Sequence, residues 1–210
     1  MAICFFWVLL ANAESESGEE VPRVVAITSR PYVLKQELSV YYAYLPLSHF
    51  NHFEFTGASY THYFNDFFGW EVINAAAARS NPTGLESRLV NDFGVQADFQ
   101  EDTFKAVFST SLVYTPIYLK HQVHQKGIRY GDTSFNLGAG RANLERFGFT
   151  NFVSFGFSNR FVGREGFNLK LDLRYLQPLS DLVKANLAIG LVLSYNFAQV
   201  SNKEILIPEE

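Results

Sequence analysis

Phe167-Asn168-Leu169-Lys170-Leu171-Asp172-Leu173-Arg174-Tyr175 alternates without a break. The odd positions are apolar or aromatic, and the even positions are polar or charged. Successive side chains of a strand point to opposite faces, so this stretch has one apolar row and one ionic row. A helix would scatter both sets around its circumference. The medium each row meets therefore decides the fold and the function.

Seven further stretches read as strands, at about 36–45, 53–64, 69–79, 104–115, 129–141, 151–162 and 185–197. The second alternates least clearly; Thr56, Ala58, Tyr60, His62 and Phe64 form its expected apolar side. Asn65-Asp66-Phe67-Phe68 and Gly163-Arg164-Glu165-Gly166 are hairpin turns. The links 46–52, 142–150 and 176–184 read as longer and polar, and 115–128 as irregular. Within 80–103, Thr83-Gly84-Leu85-Glu86 has capping-box spacing, Leu85, Leu89 and Phe93 recur every four residues, and Gly94 follows. That pattern predicts a short helix over 83–93. Eight strands with one short helix predict an all-β fold, an eight-stranded antiparallel barrel, because closure removes exposed edges.

A soluble barrel keeps its apolar row inside; a membrane barrel reverses this. Three features favour reversal. The polar rows of the strands at 129–141, 151–162 and 185–197 are rich in Gly, Ser, Ala and Asn, which suit a narrow interior. Aromatics gather near both strand ends. Phe67, Trp70, Tyr114, Tyr118, Phe161 and Tyr195 lie by the tight turns; Phe53, Phe104, Phe149, Phe152 and Tyr175 lie by the long loops. Such paired girdles mark the two interfaces of a bilayer. The strands are also long enough to cross a bilayer when tilted. The expected fold is thus an eight-stranded antiparallel transmembrane β-barrel over 35–197, with the helix in an external loop. Short turns belong on the periplasmic side and the link 80–103 outside.

The first residues, Met1 to Ala13, are apolar and end in Ala11-Asn12-Ala13. They read as a signal peptide cleaved after Ala13, carrying off Cys4, the one cysteine. Residues 14–34 read as an N-terminal periplasmic segment and 198–210 as a C-terminal periplasmic tail. The role of Val24-Val25-Ala26-Ile27 is open. A charge of -4 gives no electrostatic case for nucleic acid.

Glu37, Glu71, Lys105, Asp132, Arg160, Lys170, Asp172 and Arg174 fall on the inward row. Two of the carboxylates would serve as an acid/base couple on one reading, but a paired-ion network filling the lumen explains all eight residues. The five histidines are His49, His52, His62, His121 and His124. His121-x-x-His124 would share a face only in a helix, and it lies in a basic link with Lys120 and Lys126. No catalytic residue, cofactor or metal site is expected. Gly190-Leu191-Val192-Leu193-Ser194-Tyr195-Asn196-Phe197 resembles the C-terminal assembly signal of bacterial outer-membrane barrels, with Gly190, Leu193, Tyr195 and Phe197 at its key positions. Here the chain runs on to Glu210.

The chain also resembles the small outer-membrane β-barrel domain proteins of predatory and gliding bacteria of the deltaproteobacterial lineage. The resemblance is carried in order by Arg30-Pro31-Tyr32, Tyr44-Leu45-Pro46-Leu47, Ser59-Tyr60-Thr61-His62-Tyr63-Phe64-Asn65-Asp66-Phe67, Trp70-Glu71-Val72, Pro116-Ile117-Tyr118, Leu137-Gly138-Ala139-Gly140 and Leu171-Asp172-Leu173-Arg174. It spans most of 22–197. Where the family has Gly-Lys after Pro-x-Tyr, this chain has Leu119-Lys120. The resemblance implies an outer-membrane barrel and no established activity. The expected function is a non-enzymatic barrel with a filled lumen in a structural or envelope-interaction role; the alternatives are a narrow pore and a lipid-modifying enzyme. Expected partners are outer-membrane lipid, the assembly machinery during biogenesis, and envelope proteins through the 80–103 loop.

Overall fold

A computed structural model describes residues 32–46, 51–94, 103–123, 127–146, 148–163, 166–180 and 185–198. The expected leader, the acidic stretch 14–20, His49, His124 and the tail beyond 198 lie outside the described residues. Eight strands run in order: β1 (Gln36–Leu45), β2 (Asn51–Tyr63), β3 (Phe68–Pro82), β4 (Phe104–Val123), β5 (Gly127–Leu144), β6 (Gly148–Val162), β7 (Phe167–Pro178) and β8 (Asn186–Asn196). Each pairs antiparallel with the next, and β1 pairs with β8 from Glu37↔Asn196 to Tyr44↔Ile189, which closes the barrel. No helix among the described residues is long and apolar enough to cross a membrane.

The period of two sorts the side chains. In β8, Asn186, Ala188, Gly190, Val192, Ser194 and Asn196 are buried, while Ile189, Leu191, Leu193 and Tyr195 are exposed. The opening stretch behaves likewise: Phe167, Leu169, Leu171 and Tyr175 lie on the outer wall, and Asn168, Lys170, Asp172 and Arg174 turn inward. The outer wall is apolar around the barrel. Leu112 and Leu137 are 63% and 64% exposed there, and Val40, Ile73, Phe155 and Leu191 continue the belt.

Four register shifts interrupt the alternation. The one between Phe104 and Ala106 matters most, because the extra residue lets Phe104 and Val107 both face inward. Lys105, expected inside, is thereby turned out; its side chain is 55% exposed and lies 3.7 Å from Glu145. Phe53, Phe104 and Phe152, expected in an outer girdle, are buried inside the barrel. Near the rim the inward row is apolar too, and an apolar pair of rows leaves no contrast from which to assign sides.

The connections also differ from expectation. The link 115–128 is not irregular: β4 and β5 continue as a paired ribbon to Val123 and Gly127. His121 is therefore in a strand, which removes the helical spacing on which a His121/His124 pair depended. The link 142–150 is not long, since β5 ends at Leu144 and β6 starts at Gly148. The helix α1 (Leu85–Phe93) begins two residues later than expected, at an N-cap Gly84 with φ 74° and no side-chain cap. Thr83 Oγ1 instead accepts the Leu85 N–H at 3.4 Å. Gly94, at φ 61°, closes the helix by donating to Leu89 and Val90 carbonyls.

Candidate functional site: the barrel interior

The interior is layered along the barrel axis. At the end carrying the tight turns, the lead-in to β1 folds into the mouth. Tyr32 and Leu34 are buried there with Tyr63 and Val113, and Tyr118, Tyr130 and Val162 pack against them. Tyr32 and Leu34, expected in a segment outside the barrel, thus help to fill it. Two hydrogen bonds fix the lead-in: Tyr63 N–H donates to the Lys35 carbonyl at 2.6 Å, and Asn196 Nδ2 donates to the Val33 carbonyl at 2.7 Å.

Above that plug lies the charged layer. Arg160, on β6, is 2% exposed and reaches Glu37 at 2.9 Å and Asp132 at 3.5 Å. It also donates to the Tyr63 hydroxyl at 2.5 Å, across whose ring it lies. Lys170 pairs with the second oxygen of Glu37. One strand further round, Arg174 bonds Glu71 at 3.1 Å and approaches Asp172 at 3.3 Å. Seven of the eight predicted residues therefore meet in two clusters, and Lys105 stands apart.

The clusters hold four carboxylates against three cations. Neutral donors make up the difference. Tyr32 donates to Asp132 at 2.8 Å, Ser158 to Asp172 at 2.5 Å, Ser39 to Glu37 at 3.3 Å, and Ser111 and Asn74 to Glu71 at 3.1 and 3.3 Å. Buried charge is tolerated only when paired and hydrogen-bonded; these hydroxyls and amides supply much of that bonding, and Asp132 Oδ1 and Arg160 Nε are left without a hydrogen-bond partner among the described residues. Sequence reasoning missed Tyr32 and Tyr63 because both are aromatic and sit where a strand begins or ends. Their hydroxyls, the polar tips of otherwise apolar residues, were the available signal.

Two rings lie flat across the inner wall, opposite glycines. Tyr41 faces Gly57 and Tyr63 faces Gly69 in direct register. A Cβ on Gly57 would stand 2.7 Å from the Tyr41 ring, and one on Gly69 2.7 Å from the Tyr63 ring. The missing side chains make room for the aromatics.

Towards the loop end a chamber of about 80 Å³ follows, with Lys170 and Arg174 on its charged side and Phe55 and Phe152 on its apolar side. That is above the roughly 10–15 Å³ a cavity needs to hold a water. An apolar cap closes this end: Leu45, Phe53, Phe55, Phe104, Leu144 and Phe152 are buried together, with Phe104 edge-on to Phe53 at 5.2 Å. Among the described residues no group of three or more His, Cys, Asp or Glu is placed to hold a metal.

At the closing strand, Gly190 lies inside against Ala43, while Leu193, Tyr195 and Phe197 are on the outer wall. Tyr195 packs on Phe167 at 5.0 Å and on Phe197 at 5.1 Å. Phe197 N–H donates to the Gln36 carbonyl, extending the β1–β8 seam past the last strand residue.

These features define a closed eight-stranded antiparallel barrel with an apolar outer wall, an ion-paired interior and one short helix outside the wall. No family model matches the chain, and no curated protein is similar to it. Neisserial surface protein A (NspA), known from a crystal structure, is similar over 80% of this chain and 98% of its own, at 12% identity and a TM-score of 0.36. At that distance the likeness carries no function across.

Proposed function

We propose that the protein is a non-enzymatic barrel of the bacterial outer membrane, with a structural or envelope-interaction role. The observation that carries this reading is the inverted polarity of the wall. Water-soluble monomers rarely expose contiguous apolar patches above roughly 300–600 Å², and a belt around the whole circumference calls for lipid. The tight turns then face the periplasm, and α1 with its long loop faces outward. Lipid and the assembly machinery are the partners implied, with envelope proteins reached through the 80–103 loop.

Filling of the lumen supports the absence of transport. Both mouths are stopped by apolar clusters and the middle by ion pairs. It also weighs against an acid/base couple, because each of the four carboxylates has a guanidinium within 3.5 Å. A second reading, a narrow conduit for ions or small solutes, is favoured by the chamber beside Lys170 and Arg174.

Fractionation with outer membranes and a heat-dependent mobility shift on a detergent gel test the location. Recovery as a soluble periplasmic protein would sink the proposal. Planar-bilayer recordings decide between the two readings: a filled lumen gives no stable conductance, and discrete openings favour the conduit.

A further inference from the structure

Cations of the outer wall gather in one sector at the loop end. On β3 the outward row Ile73, Ala75, Ala77 ends in Arg79, and on β5 the row Leu137, Ala139 ends in Arg141. On β4, between them, the register shift turns Lys105 out, past the exposed Phe108. Each cation is therefore the first charge met beyond the apolar belt, and all three are exposed. Among the described residues, no other strand carries Lys or Arg on the outer wall near this end; β1, β6 and β7 have Tyr44, Asn151 and Gln177 there.

Register brings the three together. Ala77 faces Ala106, and Phe108 faces Arg141. With strands about 4.8 Å apart and a rise of about 3.3 Å per residue, Arg79 and Arg141 lie within roughly 10 Å of Lys105, backbone to backbone. Two carboxylates share the sector. Glu54, in register with Arg79, accepts from Asn81 at 2.9 Å, and Glu145 lies 3.7 Å from Lys105. Arg141 has a neutral partner, Asn151 Oδ1, which accepts its Nε–H at 2.9 Å. Among the described residues no carboxylate lies within 4.0 Å of the Arg79 or Arg141 guanidinium. A positive excess thus faces out from the end of an apolar wall.

We propose that Arg79, Lys105 and Arg141 form a site for the phosphate headgroup of a lipid in the outer leaflet. The site rests on the outer-membrane reading, which puts the loop end in that leaflet. Its depth agrees. The span from Trp70 to Arg79 covers roughly 20–25 Å of the membrane normal, at about 3.3 Å per residue and a tilt of about 40°. The apolar band of such barrels is about 25 Å tall, so these cations meet the headgroups. Guanidinium forks grip phosphate oxygens in pairs, and lysine adds a mobile point charge. The acyl chains of the same lipid lie along Ala75, Ala77 and Ala139 on the wall below. Soluble phosphate uses only the cations, whereas a lipid uses both surfaces.

The test uses the full chain in nanodiscs of phosphatidylcholine with a minor fraction of phosphatidic acid, read by native mass spectrometry of the lipid that stays bound. Phosphatidic acid should be retained over phosphatidylcholine by at least about tenfold. The triple variant Arg79→Gln, Lys105→Gln, Arg141→Gln should lose that preference while keeping the heat-dependent gel shift. Lys35→Gln with Lys120→Gln, at the opposite end, should leave it intact. Oleate at matched charge should be held several-fold more weakly, because a carboxylate offers fewer acceptor oxygens than a phosphate. Inorganic phosphate, offered to the protein in phosphatidylcholine alone, should also bind several-fold more weakly. Equal retention of oleate would mean undirected attraction of anions and would overturn the inference. Equal binding of inorganic phosphate, or a preference unchanged in the triple variant, would overturn it as well. A chain that never enters the lipid refutes the outer-membrane reading itself; one that enters, shows the gel shift and has no preference refutes only the site.

Discussion

Replacing Arg160 by Met should be the most damaging single change in the barrel interior. The guanidinium is 2% exposed and serves Glu37 at 2.9 Å, Asp132 at 3.5 Å and the Tyr63 hydroxyl at 2.5 Å. Without it, Glu37 keeps Lys170 and Ser39, and Asp132 keeps only the Tyr32 hydroxyl among its described partners. Breaking a buried pair by removing one member costs about 3–5 kcal/mol, because the abandoned charge stays buried. With a urea slope of about 2 kcal/mol per molar, the unfolding midpoint in vesicles should fall by roughly 2 M. Tryptophan fluorescence reports the transition through Trp70 on the outer wall. Two controls sharpen the result. Lys105→Met removes an exposed pair and should cost about 0–1 kcal/mol. Adding Asp132→Asn to Arg160→Met neutralises the carboxylate left without a cation, while Glu37 keeps Lys170, and should recover part of the loss. A loss below about 1 kcal/mol for Arg160→Met, or no recovery in the double variant, would refute the claim that pairing holds these carboxylates in the lumen.

Further variants probe other layers. Leu171→Arg on the outer wall should cost about 2–4 kcal/mol in vesicle folding titrations if the residue lies near the bilayer centre, against about 0–1 kcal/mol for Phe167→Arg at the rim; equal costs would argue against a depth gradient. Gly57→Leu forces its new side chain into the Tyr41 ring and should lose about 1–3 kcal/mol, and Tyr41→Ala in the same chain should make that loss smaller in a double-mutant cycle. Deleting 84–94 should leave the heat-dependent gel shift unchanged, because α1 exposes Leu85, Val90 and Phe93 and stands outside the barrel wall.

The strands were legible wherever the two rows contrasted. In β6, β7 and β8 the inward row is small or charged and the outward row large and apolar, so period and side could both be read. Legibility failed where contrast failed. Phe53 and Phe55 are inward beside Leu45, and nothing in an apolar rim distinguishes them from an outer girdle. It failed again at Lys105, where one inserted residue reverses every side assignment before it. The ribbon beyond Thr115 was hidden by composition: Lys120-His121-Gln122 is polar at successive positions, so no apolar row marks a strand there. Pairing among the ions was beyond reach for a different reason. Glu37 and Lys170 are brought together by the barrel's closure, which depends on the tilt and stagger of all eight strands.

That closure has a consequence for how the molecule is made. Glu37 lies on the first strand, and its two cations come from the sixth and seventh. Until those strands are in place, the carboxylate has no cation and can stay only in water. Under the proposed outer-membrane reading, a half-built barrel carrying β1 at its open edge would meet a desolvation cost at this carboxylate before it could enter lipid. Arrival of the late cations and mating of Ser39 with Ser194 across the seam relieve that penalty together. On the same outer-membrane reading, the acid on β1 would thus tie burial in lipid to delivery of the last strands.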